Sequence, residues 1–422
     1  MSVVSRGFTS VWGRIAIVLT VGVSLLVNAM PANALTSISR SNYIVRVLPG
    51  TDVEVRNFLT GMGDIPTDEI DYVFDGFIVK LADFEATALK ANKNVVDVTP
   101  DQTISLLDTD SNPPSWGLDR LDQPTLPLDK SFTYPAQSGA GVRVYIVDTG
   151  VQADNPDFAG RILPGFDVIG TNSQNTDCHG HGTHVAGTIG GTQFGLAKKV
   201  SIVPLRVLDC NGSGSIVGVM RAINWTIANH PTGTPAVANF SLGGGRNLSF
   251  NNAISALVDK GITTVVAAGN ERTDACTRSP ASALDAITVG STDRFDNRSS
   301  FSNFGECVDV FAPGSGILSA NAKNYTTPIA LSGTSMASPH VAGVAALILG
   351  TSPSALPEQV ASVITDLSQK GIVNGSNTVV GNRLANVPSE SAVPIPSLPG
   401  APTGLQVVNS GKGFVSFGWD AV

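Results

Sequence analysis

The chain has 422 residues and little charge. Asp, Glu, Lys and Arg make up 14% of it, with a formal balance of -8, where soluble domains usually carry about 25% charged residues. No block of Lys and Arg occurs, and a general nucleic-acid binder needs one to meet phosphate. Long apolar runs are missing too. The stretch Ile15–Val27 is shorter than the ~20 residues of a bilayer span. The next candidate, Leu331–Leu349, is interrupted by Ser335, Ser338, Pro339 and His340. Cysteine is confined to four positions, and residues 35 to 110 hold neither cysteine nor histidine.

What is there begins with an address. Arg6 and Arg14 precede the short apolar run, and Ala32-Asn33-Ala34 follows it. That pattern predicts a secretory signal peptide over residues 1–34, cut after Ala34, and no transmembrane segment once it is removed. An exported chain matures under oxidising conditions, so Cys178, Cys210, Cys276 and Cys307 read as two disulfides. Four cysteines allow three pairings. The nearest-neighbour one, Cys178–Cys210 with Cys276–Cys307, is favoured, and each bridge would contribute ~3 kcal/mol by loop closure.

Composition divides the rest. Residues 35–110 contain the strand-like runs Tyr43–Leu48 and Gly76–Lys80 and helical candidates at Val53–Met62 and Asp83–Ala91, a small α+β unit. Residues 111–387 alternate apolar runs with Gly-rich turns and amphipathic segments. Val142–Val147, Val200–Leu205, Ala236–Phe240, Ile262–Ala267 and Ala286–Val289 are apolar without alternation, as strands buried on both faces are. They predict an α/β domain whose mostly parallel sheet is flanked by helices. Residues 388–401 form a Pro/Ser-rich linker, and residues 402–422, around Trp419, read as an incomplete β-sandwich start.

Three segments carry chemistry together. Tyr145-Ile-Val-Asp148 ends a buried strand in a carboxylate. His179-Gly-His181-Gly-Thr-His184 opens a small-residue helix, and Gly333-Thr-Ser335-Met-Ala opens an apolar one. A serine attacks a carbonyl only when an imidazole takes its proton and an acid fixes that imidazole's tautomer. Gly333 is expected to turn the backbone tightly before Ser335.

These motifs, in the order Asp, His, Ser, resemble those of the subtilisin-like serine protease superfamily, in its proteinase K and aqualysin-like branch, over residues 116 to 385. The resemblance implies a serine endopeptidase with Asp148, His181 and Ser335 as its triad, His184 as a packed histidine and Asn270 as oxyanion donor. It implies a substrate cleft between Gly212, Ser213, Gly214 on one side and Ser241, Leu242, Gly243 on the other. Ala267, Ala268 and Gly269 then belong to the first specificity pocket, with Arg278 at its base where the family carries Tyr or Gly. An inward guanidinium there would select acidic side chains; bent to solvent, it would select nothing. The disulfide pairing is also that of the family.

Structural calcium is implied at Asp309 with the carbonyls of Leu284 and Ala286. A second site is implied at Asp119, Asp122 and Gln123, with Asp129 or Ser131 nearby. No organic cofactor is implied. Residues 35–110 resemble an inhibitory propeptide removed by self-cleavage between Leu106 and Pro114, and residues from Ala401 resemble the start of a fibronectin type III module. The enzyme is expected to be a monomer acting on protein or peptide substrates, secreted free or held at the cell surface through its C-terminal region. Two rivals compete: a metal site on the Cys178–His184 run, and an inactive adhesion protein on the same scaffold.

Overall fold

The computed structural model describes residues 40–70, 72–101, 103–106, 109–110, 115–158, 160–170, 176–376, 382–388, 406–411 and 414–418. The expected signal peptide at residues 1–34, positions 107, 108 and 111–114 where the propeptide junction is expected, residues 389–401 of the expected linker, and Trp419 lie outside the described residues.

The first unit comprises β1 (Ser41–Val47), α1 (Asp52–Met62), β2 (Asp68–Glu69), β3 (Gly76–Leu81), α2 (Asp83–Leu89) and β4 (Val95–Pro100), with antiparallel strand order β2-β3-β1-β4. Strand alternation divides its side chains. Tyr43, Val45 and Val47 join Val55, Leu59 and Leu89 in a private core. Ile44 and Ile78, on the other face, belong to the core of the larger domain. Two short strands follow, β5 (Thr103–Leu106) and β6 (Thr109–Asp110).

The larger domain opens with α3 (Gly117–Leu121), β7 (Arg143–Asp148), β8 (Phe166–Asp167), α4 (His181–Gly190), β9 (Ser201–Arg206), β10 (Ser213–Ser215) and α5 (Ile216–Asn229). It continues through β11 (Ala236–Phe240), β12 (Leu242–Gly245), α6 (Leu248–Asp259), β13 (Ile262–Ala267), β14 (Arg278–Ser279), β15 (Ile287–Thr292) and β16 (Val310–Pro313). It closes with β17 (Ile317–Ser319), β18 (Ile329–Ser332), α7 (Thr334–Thr351), α8 (Pro357–Leu367), β19 (Gln369–Lys370) and β20 (Arg383–Leu384). Nine strands form the central sheet in the order β19-β20-β16-β15-β13-β11-β7-β9-β8, parallel except at β19.

The five unalternating apolar runs are its five central strands, β9, β7, β11, β13 and β15. Val144 and Ile146 face the core shared with α4, α7 and α8, whereas Tyr145 and Val147 face the core under α5 and α6. Both faces are covered, so neither tolerates a polar alternation. No helix among the described residues is long and apolar enough to cross a membrane. Residues 406–411 and 414–418 pair as an antiparallel hairpin.

One polar knot crosses this apolar interior. Arg120, on α3, is fully buried. Its guanidinium donates Nε–H to Asp296 Oδ1 at 2.8 Å and Nη2–H to Asp296 Oδ2 at 3.0 Å, and it also reaches the Gln123 carbonyl and Gln369 Oε1. The pair ties the domain's opening helix to the turn after β15 and to β19. Removing one partner of a buried pair strands the other charge, at a cost of about 3–5 kcal/mol. Asp296→Asn should therefore lower stability by about 3 kcal/mol, read as a fall in the denaturant midpoint with an unchanged denaturant slope.

Candidate active site

The central strands deliver the site at their carboxyl ends, where open parallel sheets place their crevices. Asp148 is the last residue of β7 and is fully buried. Its Oδ1 accepts the Thr149 N–H at 2.7 Å, and both carboxylate oxygens face His181 Nδ1, at 2.8 and 2.9 Å. His181 is the first residue of α4. The approach depends on glycine next door: a Cβ on Gly182 would stand 2.1 Å from the Gly150 carbonyl oxygen.

The loop before α4 is held by Asp177, whose buried carboxylate accepts from the Thr149 hydroxyl, the N–H groups of His179, Gly180 and Thr183, and the Thr183 hydroxyl. Cys178, next in sequence, is bonded to Cys210, and Cys276 is bonded to Cys307. Asp177 escaped the sequence reading; a carboxylate beside Cys178 in a turn just before a helix was its only signal.

Ser335 is the second residue of α7 and is buried. Its hydroxyl donates to the Ser241 carbonyl at 3.1 Å, and the Ser241 hydroxyl donates back to the Ser335 carbonyl at 2.8 Å. Pro339 explains why that carbonyl is available. Four residues on, it has no N–H to offer in the helical pattern. Ser338 donates to Asn239 and Asn239 to Ser241, fastening the end of β11 to the helix. Gly333 does not turn as expected: it is extended, at φ 163 and ψ 162, because it continues β18 straight into the helix.

Asn270 follows β13. Its Oδ1 accepts the Thr334 N–H at 2.9 Å and the Thr334 hydroxyl at 3.0 Å. The amide orientation is thereby fixed, and Nδ2 is a buried donor without a partner. An unsatisfied buried donor is costly and rare, and here it belongs to an amide held by Thr334, the residue before Ser335. Thr334 was not singled out in the sequence.

The cleft has two antiparallel edges, β10 and β12, and β5 lies between them. Ser105 pairs with both Ser213 and Gly243, Ile104 with Gly214, and Leu106 with Leu242. The contribution of Leu242 is its backbone, since its side chain is fully buried in the core. Gly212, at φ 74, turns the chain into β10. Gly243, Ala267, Ala268, Gly269 and Arg278 line one small pocket, joined by Glu271. The Arg278 Nε stands 3.6 Å from Glu271 Oε2, and the same oxygen accepts from Asn303 at 2.7 Å. The cation at the pocket base therefore has an anion beside it, which neither sequence alternative included.

The run from Cys178 to His184 does not converge as metal ligands do. Cys178 is in a disulfide, His181 faces Asp148, and His184 donates Nε2–H to the Ile317 carbonyl at 2.8 Å. No group of three or more His, Cys, Asp or Glu side chains suited to a metal occurs among the described residues. The oxygen-rich positions are separate. Asp309 accepts the Thr288 N–H, and burial pushes its carboxyl up to about 6. Leu284 is almost fully exposed and Ala286 buried. Asp119 accepts from the N–H groups of Asp129 and Lys130, and Gln123 spans Thr125, Pro127 and Asp129. Asp122 accepts from Thr133, while its Oδ1 is buried without a partner.

A buried carboxylate on an imidazole, a serine at a helix start, an oriented amide donor and a cleft that pairs with extended chain define a serine endopeptidase. The Peptidase_S8 pattern, subtilase family, matches residues 139–382. The extracellular serine proteinase of Thermus sp. (strain Rt41A) is 47% identical over 313 residues, covering 74% of this chain and 75% of that enzyme. Alkaline serine exoprotease A of Vibrio alginolyticus is 43% identical over 333 residues, covering 77% of this chain and 61% of that protein. The crystal structure of a cold-adapted subtilisin-like serine proteinase superposes with a TM-score of 0.62 at 44% identity, over 65% of this chain and 98% of its own. The chain belongs to the subtilase family.

Two histidines beside the site give it a pH limit. Burial holds His184 down at about 3 and His340, whose Nδ1–H donates to the Met336 carbonyl, down at about 4. Both are neutral when folded and bind protons once unfolded, near the ordinary 6.5. Their contribution is fully present above about 6.5 and is lost as pH falls towards 4. The urea midpoint should drop between pH 7 and 5, and His340→Gln should flatten that dependence by about one proton; an equally steep profile in the variant would contradict the assignment.

Proposed function

We propose that the chain is a secreted endopeptidase, made as an inactive precursor, in which Ser335 is the nucleophile, His181 the base, Asp148 its partner and Asn270 an oxyanion donor. The observation that carries this reading is β5. The chain's own residues 103–106 lie between β10 and β12 with main-chain pairing on both sides, as an extended substrate would.

The chemistry follows from the positions of the groups. Ser335 Oγ adds to the carbonyl carbon while its proton passes to His181 Nε2. Asp148 keeps the Nδ1–H and stabilises the imidazolium without taking the proton. The carbonyl oxygen, now negative, meets Asn270 Nδ2 and the Ser335 N–H. His181 then gives its proton to the departing amine, and water repeats the sequence on the acyl-enzyme.

The same strand supports the precursor reading. Beyond β5, β6 pairs with β18, Thr109 opposite Ser332 and Asp110 opposite Leu331. Three peptide bonds join Leu106 to Thr109, and the middle one, Leu107–Asp108, is the bond we assign to self-cleavage. The small unit docks on the two helices behind the cleft. Asp101 accepts the Val217 N–H at the start of α5 at 3.1 Å, and Thr99 bonds Ser249 at the start of α6 at 2.9 Å. Carboxylates suit helix N-termini, so this unit is suited to act as an inhibitor of its own domain.

Export rests on the leader-like residues 1–34 and on the Thermus relative being named extracellular. Calcium fits two places by donor chemistry. Asp309, whose desolvated carboxylate meets only the Thr288 N–H among the described residues, would contribute to one ion, and the orphan oxygen of Asp122 would contribute to a second. The ions would brace loops. The hairpin at 406–418 is consistent with the first strands of a β-sandwich and with a role in retention at a surface.

Ser335→Ala should abolish hydrolysis and leave the precursor whole, while the parent should yield an N-terminus at Asp108 by sequencing. A mature N-terminus outside residues 107–109 would refute the assigned bond. Asn270→Leu should lower kcat by about 10²–10³ with little change in KM, a magnitude carried over from subtilisin itself.

A further inference from the structure

Of the two readings of Arg278, an inward charge selecting acidic side chains and a guanidinium bent to solvent, the first meets Glu271 beside the cation. A cavity of about 300 Å³ opens beside His181. His179, Asn321, Lys323 and Leu331 line it, and no acidic residue does. Leu331 is also the residue opposite Asp110 in the pairing of β6 with β18, so the chain on the leaving side of the cleft runs along this cavity.

The lysine is set there by structure. Its N–H donates to Asn321 Oδ1 at 2.9 Å, Asn321 Nδ2 donates to the Thr327 carbonyl, and the Asn321 carbonyl is held by Asn155 Nδ2. Tyr325, two residues on, is anchored on Asp154 at 2.6 Å. Tyr325 and Gln152 both donate to Asp154 Oδ1. Lys323 is exposed and, among the described residues, pairs with no carboxylate. His179 contributes a ring edge-on to His181 and an Nδ1 without a partner. The chain's own sequence on this side reads Asp108-Thr109-Asp110, whereas Thr103-Ile-Ser-Leu-Leu107 on the other side is uncharged.

We propose that Lys323, with His179 beside it, makes the leaving side of the cleft selective for acidic residues in the first three positions after the cleaved bond. The substrate class is thus a chain with an uncharged stretch followed by Asp or Glu. The inference rests on the cleft assignment above and adds its polarity. A rim charge steers and discriminates modestly, and its effect is screened by salt.

The test uses the matured parent enzyme on internally quenched peptides that are identical up to the cleaved bond and carry Asp or Lys at the first and third positions after it. The expected kcat/KM ratio is about five in favour of Asp at low salt, falling towards one as ionic strength rises. Lys323→Glu should bring the ratio below one. A ratio of one in the parent, a ratio insensitive to salt, or a Lys323→Glu ratio equal to the parent's would each overturn the proposal. A peptidyl anilide, which has no residue after the bond, separates the failures. Anilide hydrolysis together with a ratio of one on the quenched peptides sinks this inference alone; no hydrolysis of any substrate sinks the endopeptidase reading beneath it.

Discussion

The site rests on one buried hydrogen bond, from His181 Nδ1 to the carboxylate of Asp148. A carboxylate at zero exposure is tolerable only when its lone pairs are met. Thr149 supplies a backbone N–H and His181 supplies the rest. Everything nearby serves that distance. Gly182 allows α4 to come within reach of β7, and Asp177 gathers five donors to stiffen the turn before the helix. The Cys178–Cys210 bridge limits how far that turn can drift. The imidazole is already oriented in this structure, and in the proposed mechanism that is where preorganised catalysis gains its advantage.

The cleft obeys the same economy with backbone in place of side chains. Two strands outside the parallel sheet leave a gap one strand wide, and an antiparallel neighbour completes both ladders at once. Main-chain pairing accepts almost any sequence, so in the proposed reading selectivity falls to the pocket under Gly243 and Ala268 and to the cavity beside His181. The strand that fills the gap here is the chain itself, continuous with the unit whose Asp101 meets the start of α5.

Much of this was legible in the residues. Apolar runs such as Val142–Val147 and Ile262–Ala267 announced a sheet buried on both sides because double burial leaves no polar alternation. The motifs around Asp148, His181 and Ser335 stood out because small residues crowd where backbones must approach. The rest depended on distance in sequence. Nothing local to Thr103–Leu106 said that it would pair with residues more than a hundred positions later, and its mixed polarity resembles an ordinary connection. Glu271 was passed over because only the fold sets it beside Arg278. Gly333 was misjudged in conformation, since glycine serves extended chain as readily as a turn.

The Arg120 knot has a consequence of a different kind. Its partners lie 176 and 249 positions away, so the native pairing waits for loops that span most of the domain to close. Such non-local topology makes folding slow. Contacts that form after the barrier also retard opening, because they must break before it is crossed again. For a serine endopeptidase, whose own opened chain is itself a peptide, reluctance to breathe decides how long a population lasts. Durability here is a matter of rate.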